Sequence, residues 1–544
     1  MTDPVRIWEQ YEDGRNYKAA IDLYDNVETY EAFYVSDQWR GLNAPDLPKV
    51  TLNFTQRVVS MHVAKVVSDD IAANFSPFKK TPETESECRM LSGEIDRVFE
   101  LTDLKRLHKT NVRDAAVDGD ACNYFWFDAD AETGHEVKGE IRVEQIENIN
   151  VIFGNPHTPI VNDQPYIIIA LRKPYKEVQE EAIANGLDES DATCIIADSD
   201  EHQEEKGDDD KLCTVLVKLF KREGHIWAVK TTRTQTVREA WDLGLTVYPI
   251  AWMSWEKVRH SYHGRSAMAG MLPNQIALNK AYSGIIKQVM TSGFPTLFYN
   301  KQFLDRWDGR PGRAVAVNGN FEPSKAATYL TPPGVDPSIT NVMNNLVDLT
   351  RDFMGTSDAT LGNVNPSNAT AIIALQQSDQ MPMELHRQEF YSFVEQEVRI
   401  IVDMMRACYG TRDVCISMDG DDIDAQFDFG SLEHENLKIK VDIGAASYWS
   451  ETLQVETLNN IFTSGIMEDP ETFALFLEVF PEKYIPHKEK LVEFNEQRRQ
   501  QAEQMPPKTP PETPPEQGGM PNNIEPGAQN APQEYSAAEP VLPE

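Results

Sequence analysis

The chain has 544 residues, 40% hydrophobic and 25% charged, with a formal net charge of -36; it is long enough for two or more cores, since single cores stop growing at about 250 to 300 residues. So acidic a balance argues against a general nucleic-acid coat, whose affinity rests on clustered Lys and Arg, but leaves room for a local basic surface. Six cysteines without a CxxC pair or regular spacing suggest neither a zinc module nor a disulfide framework, and no basic apolar leader or run of about 18 apolar residues suggests export or a membrane partner.

In chain order, "RIWEQYEDGRNYKAAIDLYDNVETYEAFYVSDQW" spaces Ile21, Tyr24, Val27, Tyr30, Phe33 and Tyr34 as helices do, then breaks at "GLNAPDLP". "VTLNFTQRVVSMHVAKVVSDDIAANF" reads as a second helix with Val58, Val59, His62, Val63 and Val66 on one side, His62 being a packed core histidine. From Asn123 the signal turns to strands: "NYFWFDAD", "EIRVEQI", "INVIFGNP", "YIIIALRKP", "CTVLVKLFKREGHIWAVKTT" and "VYPIAWMSW". The fold class is therefore α+β. Between strands, Ala197 to Asp210 packs eight acids and one lysine into 14 residues, a solvated excursion.

Against this acidic background, residues Arg265 to Asn320 carry seven basic side chains, including Lys280, Lys287, Lys301, Arg306, Arg310 and Arg313, against Asp305 and Asp308, a net of +5. A helix is expected from Pro273, stopped by Gly293 and Pro295, with Lys280 and Lys287 seven residues apart on one face. A second runs from Pro337, behind the cap Asp336, to Gly355, its packing stripe being Val342, Leu346, Leu349 and Phe353. The Gly-, Pro- and aromatic-rich piece between them suits a small αβ cap at one end of the pair. A stretch without a charge then runs from Ala359 to Ser378 and opens a third helix, from about Thr370 to Cys408, which Pro382 should bend. Beyond that bend Phe390, Phe393, Val394, Val398, Ile401 and Met405 form a packing stripe.

"DGDDIDAQFDFG" from Asp419 starts like a calcium loop and fails, with Asp424 where the turn glycine belongs and Gly430 where the bidentate Glu belongs. Eleven prolines after Met505 make the last 39 residues a disordered tail. An ATP-driven motor would need GxxxxGK[ST], and none exists. Glu256, His260 and His263 are not spaced as HExxH and read as an ordinary loop before a helix. No catalytic residue, cofactor or metal is expected.

The segments "LPKVTLNFTQRVVSMHVAKVVS", "HGRSAMAGMLPNQIALNKAYSGIIKQVMTSGFP", "GTSDATLGNVNPSNATAIIALQQSD" and "TLQVETLNNIFTSGIM", in this order, resemble the portal proteins of tailed double-stranded DNA phages, siphovirus-like, over roughly residues 20 to 500. The resemblance implies a wing (1-263), stem helices (264-293 and 337-357), a clip (294-336), a tunnel loop (358-370), a long kinked helix (371-410), wing return strands (411-450), a helical crown (451-503) and the tail (504-544). It implies a ring, typically a dodecamer, at one capsid vertex of the virion, assembled in the host cytoplasm. Through it double-stranded DNA is packaged and ejected, with terminase large subunit, then head-tail adaptor, and major capsid and scaffolding proteins as partners.

On that reading Asn363, Asn365, Ser367 and Asn368 touch moving DNA through exchangeable hydrogen bonds, the plain alternative being a surface loop capping a core helix. Lys280 and Lys287 line the stem channel, and Lys301, Arg306, Arg310 and Arg313 form the clip surface; solvated charges or intersubunit ion pairs are the alternative for both groups. Another phage structural ring or head-tail connector, without a DNA-translocating channel, is the rival function.

Overall fold

A computed structural model of the chain describes residues 2–43, 45, 47–67, 71–77, 81–132, 137–198, 211–292, 296–302, 327–330, 337–353, 383–418, 421–432, 437–443 and 494–495. Two compact units divide it, Met1–Glu451 and Thr452–Glu544; the second contributes only Phe494 and Asn495 to the described residues.

The first unit opens on α1 (Pro4–Ala20) and α2 (Leu23–Tyr34). The Asp3 side chain accepts from the Val5 N–H and Pro4 takes the first turn, where its missing N–H is no loss. Between the helices Asp22 adopts φ 55, which breaks the apolar stripe: Leu23 and Ala32 are buried, whereas Ile21 is 37% exposed. In α3 (Phe54–Val66) Val58, Val59, His62 and Val66 are buried as their spacing predicts. The helix ends there, however, short of Phe75, where the expected helical stretch closes, and Ile71–Pro77 is strand β1. Its partner β14 (Leu437–Ile443) pairs Ile71 with Ile443, so nothing in the local sequence announces the strand.

Next, α4 (Pro82–Leu101) starts in a reciprocal Thr81–Thr84 capping box, and α5 (Leu104–Asp118) stops at Gly119 with φ 101. The strands read from β-branched and aromatic runs are present and pair antiparallel. Strands β2 (Asp120–Asp128), β3 (Glu140–Ile146) and β9 (Ile250–Ser254) form a sheet in the order β3-β2-β9. Strands β4 (Val151–Phe153), β5 (Tyr166–Pro174), β6 (Leu212–Arg222), β7 (His225–Thr231) and β8 (Thr236–Asp242) form a meander in sequence order. Helices α6 (Tyr175–Ala184) and α7 (Glu189–Ala192) sit between β5 and β6.

Helix α8 (Ala267–Ser292), the pair β10 (Thr296–Tyr299) and β11 (Ala327–Leu330), and helix α9 (Pro337–Phe353) follow. Then come α10 (Glu384–Cys408) and the hairpin β12 (Thr411–Met418) and β13 (Asp421–Asp428). Every residue of the expected α10 stripe is buried, each side chain contributing about 1.5–3 kcal/mol of transfer free energy. Two acids go in with them: Glu397 Oε1 accepts from Asn123 Nδ2 at 2.6 Å, and Asp403 Oδ2 accepts from the N–H groups of Thr246 (2.6 Å) and Val247 (3.0 Å). These bonds fix the axial register of α10 against the sheets, which apolar contact alone leaves free to slip.

Candidate functional site: a helix pair and its buried junction

The basic stretch lies on an out-and-back excursion. Asn274 Nδ2, early in α8, donates to Thr350 Oγ1, late in α9, at 2.9 Å, so the helices run antiparallel. Beyond their far end β10 pairs with β11, Thr296 opposite Leu330 and Tyr299 opposite Ala327. Helix α8 has 26 residues, about 39 Å. It begins six residues before Pro273, which stands inside it near the end of the second turn. The start is set instead by Ser266, whose Oγ accepts from the Met268 N–H at 2.9 Å.

One face of α8 is polar and buried: Gln275, Asn279 and Ser283, at successive intervals of four. Gln275 Nε2 donates to the Leu52 carbonyl at 2.7 Å and to Asn279 Oδ1 at 2.9 Å, and Asn279 Nδ2 donates to Gln38 Oε1. The helix is thereby pinned to the segment joining α2 and α3. Lys280 and Lys287 lie exposed on another face, as their spacing requires. Lys301 is exposed just past β10.

For α9 the expected packing stripe is corrected. Val342 is 66% and Leu349 54% exposed, whereas Met343 and Thr350 are buried. A helical stripe says that one face needs a partner but not which face the neighbour in the same chain takes; here the face with Met343 and Thr350 is buried, Thr350 meeting α8 through Asn274, and the seam with Val342 and Leu349 faces out. Val289, Met290, Phe298 and Tyr299 are also exposed on this excursion. Arg306, Arg310, Arg313, Asn363, Asn365, Ser367, Asn368 and Pro382 lie outside the described residues, as do the tail and all of the crown but Phe494 and Asn495.

The excursion is rooted in a buried polar junction that no motif announced. Asp120, at the head of β2, accepts on Oδ1 from Ser254 Oγ and from the Gly264 N–H, both at 2.7 Å, and His263 Nδ1 stands 2.8 Å from Oδ2. Burial holds the His263 imidazole below its ordinary pKa, with the Asp120 carboxylate opposing that shift. Lys18, fully buried on α1, spends its three N–H groups on the carbonyls of Asn148 (2.8 Å), Ile149 (2.9 Å) and Val151 (2.6 Å). Burial brings its pKa down to about 7, again with Asp120 opposing. Three donors on one carboxylate fix the two residues from which α8 departs.

Glu256, His260 and His263 do not converge: Glu256 bridges Arg265, His260 is exposed with φ 58, and His263 turns to Asp120. Among the described residues no group of three His, Cys, Asp or Glu could hold a metal ion, and no helix is long and apolar enough to cross a membrane.

Residues 175–541 match the sequence model of the phage P22-like portal protein. The chain is a phage portal protein, a structural component of the virion capsid. It belongs to the P22-like portal family; the match does not extend to the siphovirus-like subtype. No curated protein matches the chain.

Proposed function

We propose that copies of this chain close into a ring, the dodecamer of the resemblance, at one capsid vertex, and that double-stranded DNA passes along its axis during packaging and ejection. The observation that carries this reading is the excursion from Ala267 to Phe353. It pairs a helix bearing two exposed lysines, Lys280 and Lys287, with a helix whose apolar seam, Val342 and Leu349, is more than half exposed. Head-to-tail contact through such a seam closes a ring when the rotation divides a full turn. The lysines, repeated in every copy, then make cationic belts that attract the duplex, while two per chain are too few and too hydrated to hold it at one register.

In this scheme α8 and α9 are the stem, 294–336 the clip that meets terminase large subunit and later the head-tail adaptor, and 358–370 the loop that faces DNA. Residues 1–263 and 411–450 are the wing, in contact with major capsid and scaffolding proteins, and 451–503 are the crown. Electron microscopy of the purified protein tests the scheme: rings with an axial hole wide enough for a duplex are expected. Rings without such a hole would replace it by the rival connector function.

A further inference from the structure

We infer that Trp255 and His386 are positioning residues for the DNA-facing element, forming the bearing that sets the direction in which α10 leaves the sheets; the inference rests on the channel reading above. Two imidazoles lie nearly parallel to the Trp255 ring. His386 of α10 stacks closely, with ring centroids 4.2 Å apart and planes 11° apart, and His62 of α3 more loosely at 6.3 Å and 17°. A hydrogen bond fixes the His386 ring further, His386 Nδ1 standing 2.9 Å from the Trp255 carbonyl oxygen. One turn on, Lys257 Nζ pairs with Glu389 at 2.7 Å and adds a second point of rotational register.

The same short segment also holds the other helix. The Arg265 N–H donates to the Glu256 carbonyl at 2.8 Å, two residues before α8 starts. Trp255 and Glu256 are therefore where the roots of α8 and α10 meet. Between those roots lies a cleft of about 560 Å³, lined among others by Arg265, Gly270, Leu385 and Glu389, with Leu385 71% exposed beside it. Among the described residues at this root Met383 is buried and Leu385 is exposed, so the ring stack and its hydrogen bond act beside a single apolar contact to set the angle of the first turns of α10. A change at His386 thus alters direction while Phe390, Phe393 and Val394 keep the body of the helix in the core.

Substitutions in the full chain, carried in the phage, test the bearing. His386→Leu should leave ring size by light scattering unchanged and shift the length of DNA packaged per particle. His386→Phe, which restores a stacking ring without the hydrogen bond, should recover most of the native length. Native-length genomes in His386→Leu particles, or no recovery with His386→Phe, overturn the proposal. Should His386→Leu fail to form rings, His386→Asn, which retains a hydrogen-bonding group but no ring system, carries the same test, and native-length genomes from it are again fatal. Images of the same rings keep the two levels apart: a ring without an axial hole defeats the channel reading, whereas a ring with a hole and unaltered packaging defeats only the bearing.

Discussion

The Asp120 carboxylate and the His263 imidazole meet at 2.8 Å, both side chains at most 2% exposed, across 143 residues of sequence. This contact joins the head of β2 to the loop that launches α8. Asp120→Ala deletes the acceptor for His263, Ser254 and Gly264 together and leaves buried donors unmet, at a cost of about 3 kcal/mol or more. Asp120→Asn keeps the shape and one acceptor oxygen and should lose less. Denaturant midpoints of the two variants measure the difference, and equal, small losses would show that the junction does not depend on the carboxylate.

Gly119 precedes that carboxylate with φ 101, and a Cβ there would stand 2.8 Å from the Gly264 carbonyl oxygen. Gly119→Ala therefore meets left-handed strain of about 1–2 kcal/mol and a backbone contact that no side-chain rotation relieves. We expect a fall in thermal midpoint larger than for Gly186→Ala, which shares the positive φ but has nothing within 4 Å. Similar losses in both variants would mean that the close approach to Gly264 is of no consequence.

Much of the scaffold was legible because the strands carry their own signal: Tyr166–Pro174 and Leu212–Arg222 are β-branched and apolar runs between turns and are strands, though their antiparallel pairing is visible only in the fold. Where burial comes from distant partners the signal fails. Strand β1 finds β14 at the far end of the unit, and β8 buries only Val237, so neither alternates visibly. Pro273 misplaced the start of α8 because proline at a first turn is the commoner arrangement, and the Ser266 cap lies about two turns upstream. At the site, Lys280 and Lys287 could be placed on one face from spacing alone. Asp120 and His263 could not, since no periodicity links residues on separate elements. The Gln275, Asn279, Ser283 row went unread, because polar residues at intervals of four suit a solvated helix face equally well, and only the fold shows that it faces inward.

Asp118 offers a pH test. Burial, with Asp114 and Glu31 nearby, raises its pKa from 3.8 to about 7, and its Oδ1 atom is buried without a hydrogen-bond partner among the described residues. Between those values the folded chain holds a proton that the unfolded chain has released, so stability falls as pH rises from about 3.8 through about 7. Asp118→Asn removes the charge and should match the native protein near pH 4 but exceed it above pH 7 by about 1–3 kcal/mol. Unfolding curves at pH 4, 6 and 8 check the sign; a variant that is no more stable at pH 8 would place the carboxylate in contact with water.

In the proposed ring, the exposed seam of α9 separates what folds one chain from what joins several. Val342 and Leu349 are more than half exposed, so Val342→Asp with Leu349→Asp should change the stability of a single chain by no more than about 0.5 kcal/mol per site, the usual range for surface substitutions. In an assembly the same pair would put two carboxylates against an apolar neighbour, where an unpaired buried charge is strongly unfavourable. The expected result is a folded monomer with native circular dichroism and a light-scattering mass near 61.6 kDa, under conditions in which the native protein forms rings. The reverse pattern, intact rings with a destabilised subunit, would move the interface away from α9 and leave Val342 and Leu349 as contacts within the chain. Met343→Asp is the control, because Met343 is buried within the single chain, and it should weaken the subunit fold itself before any assembly takes place.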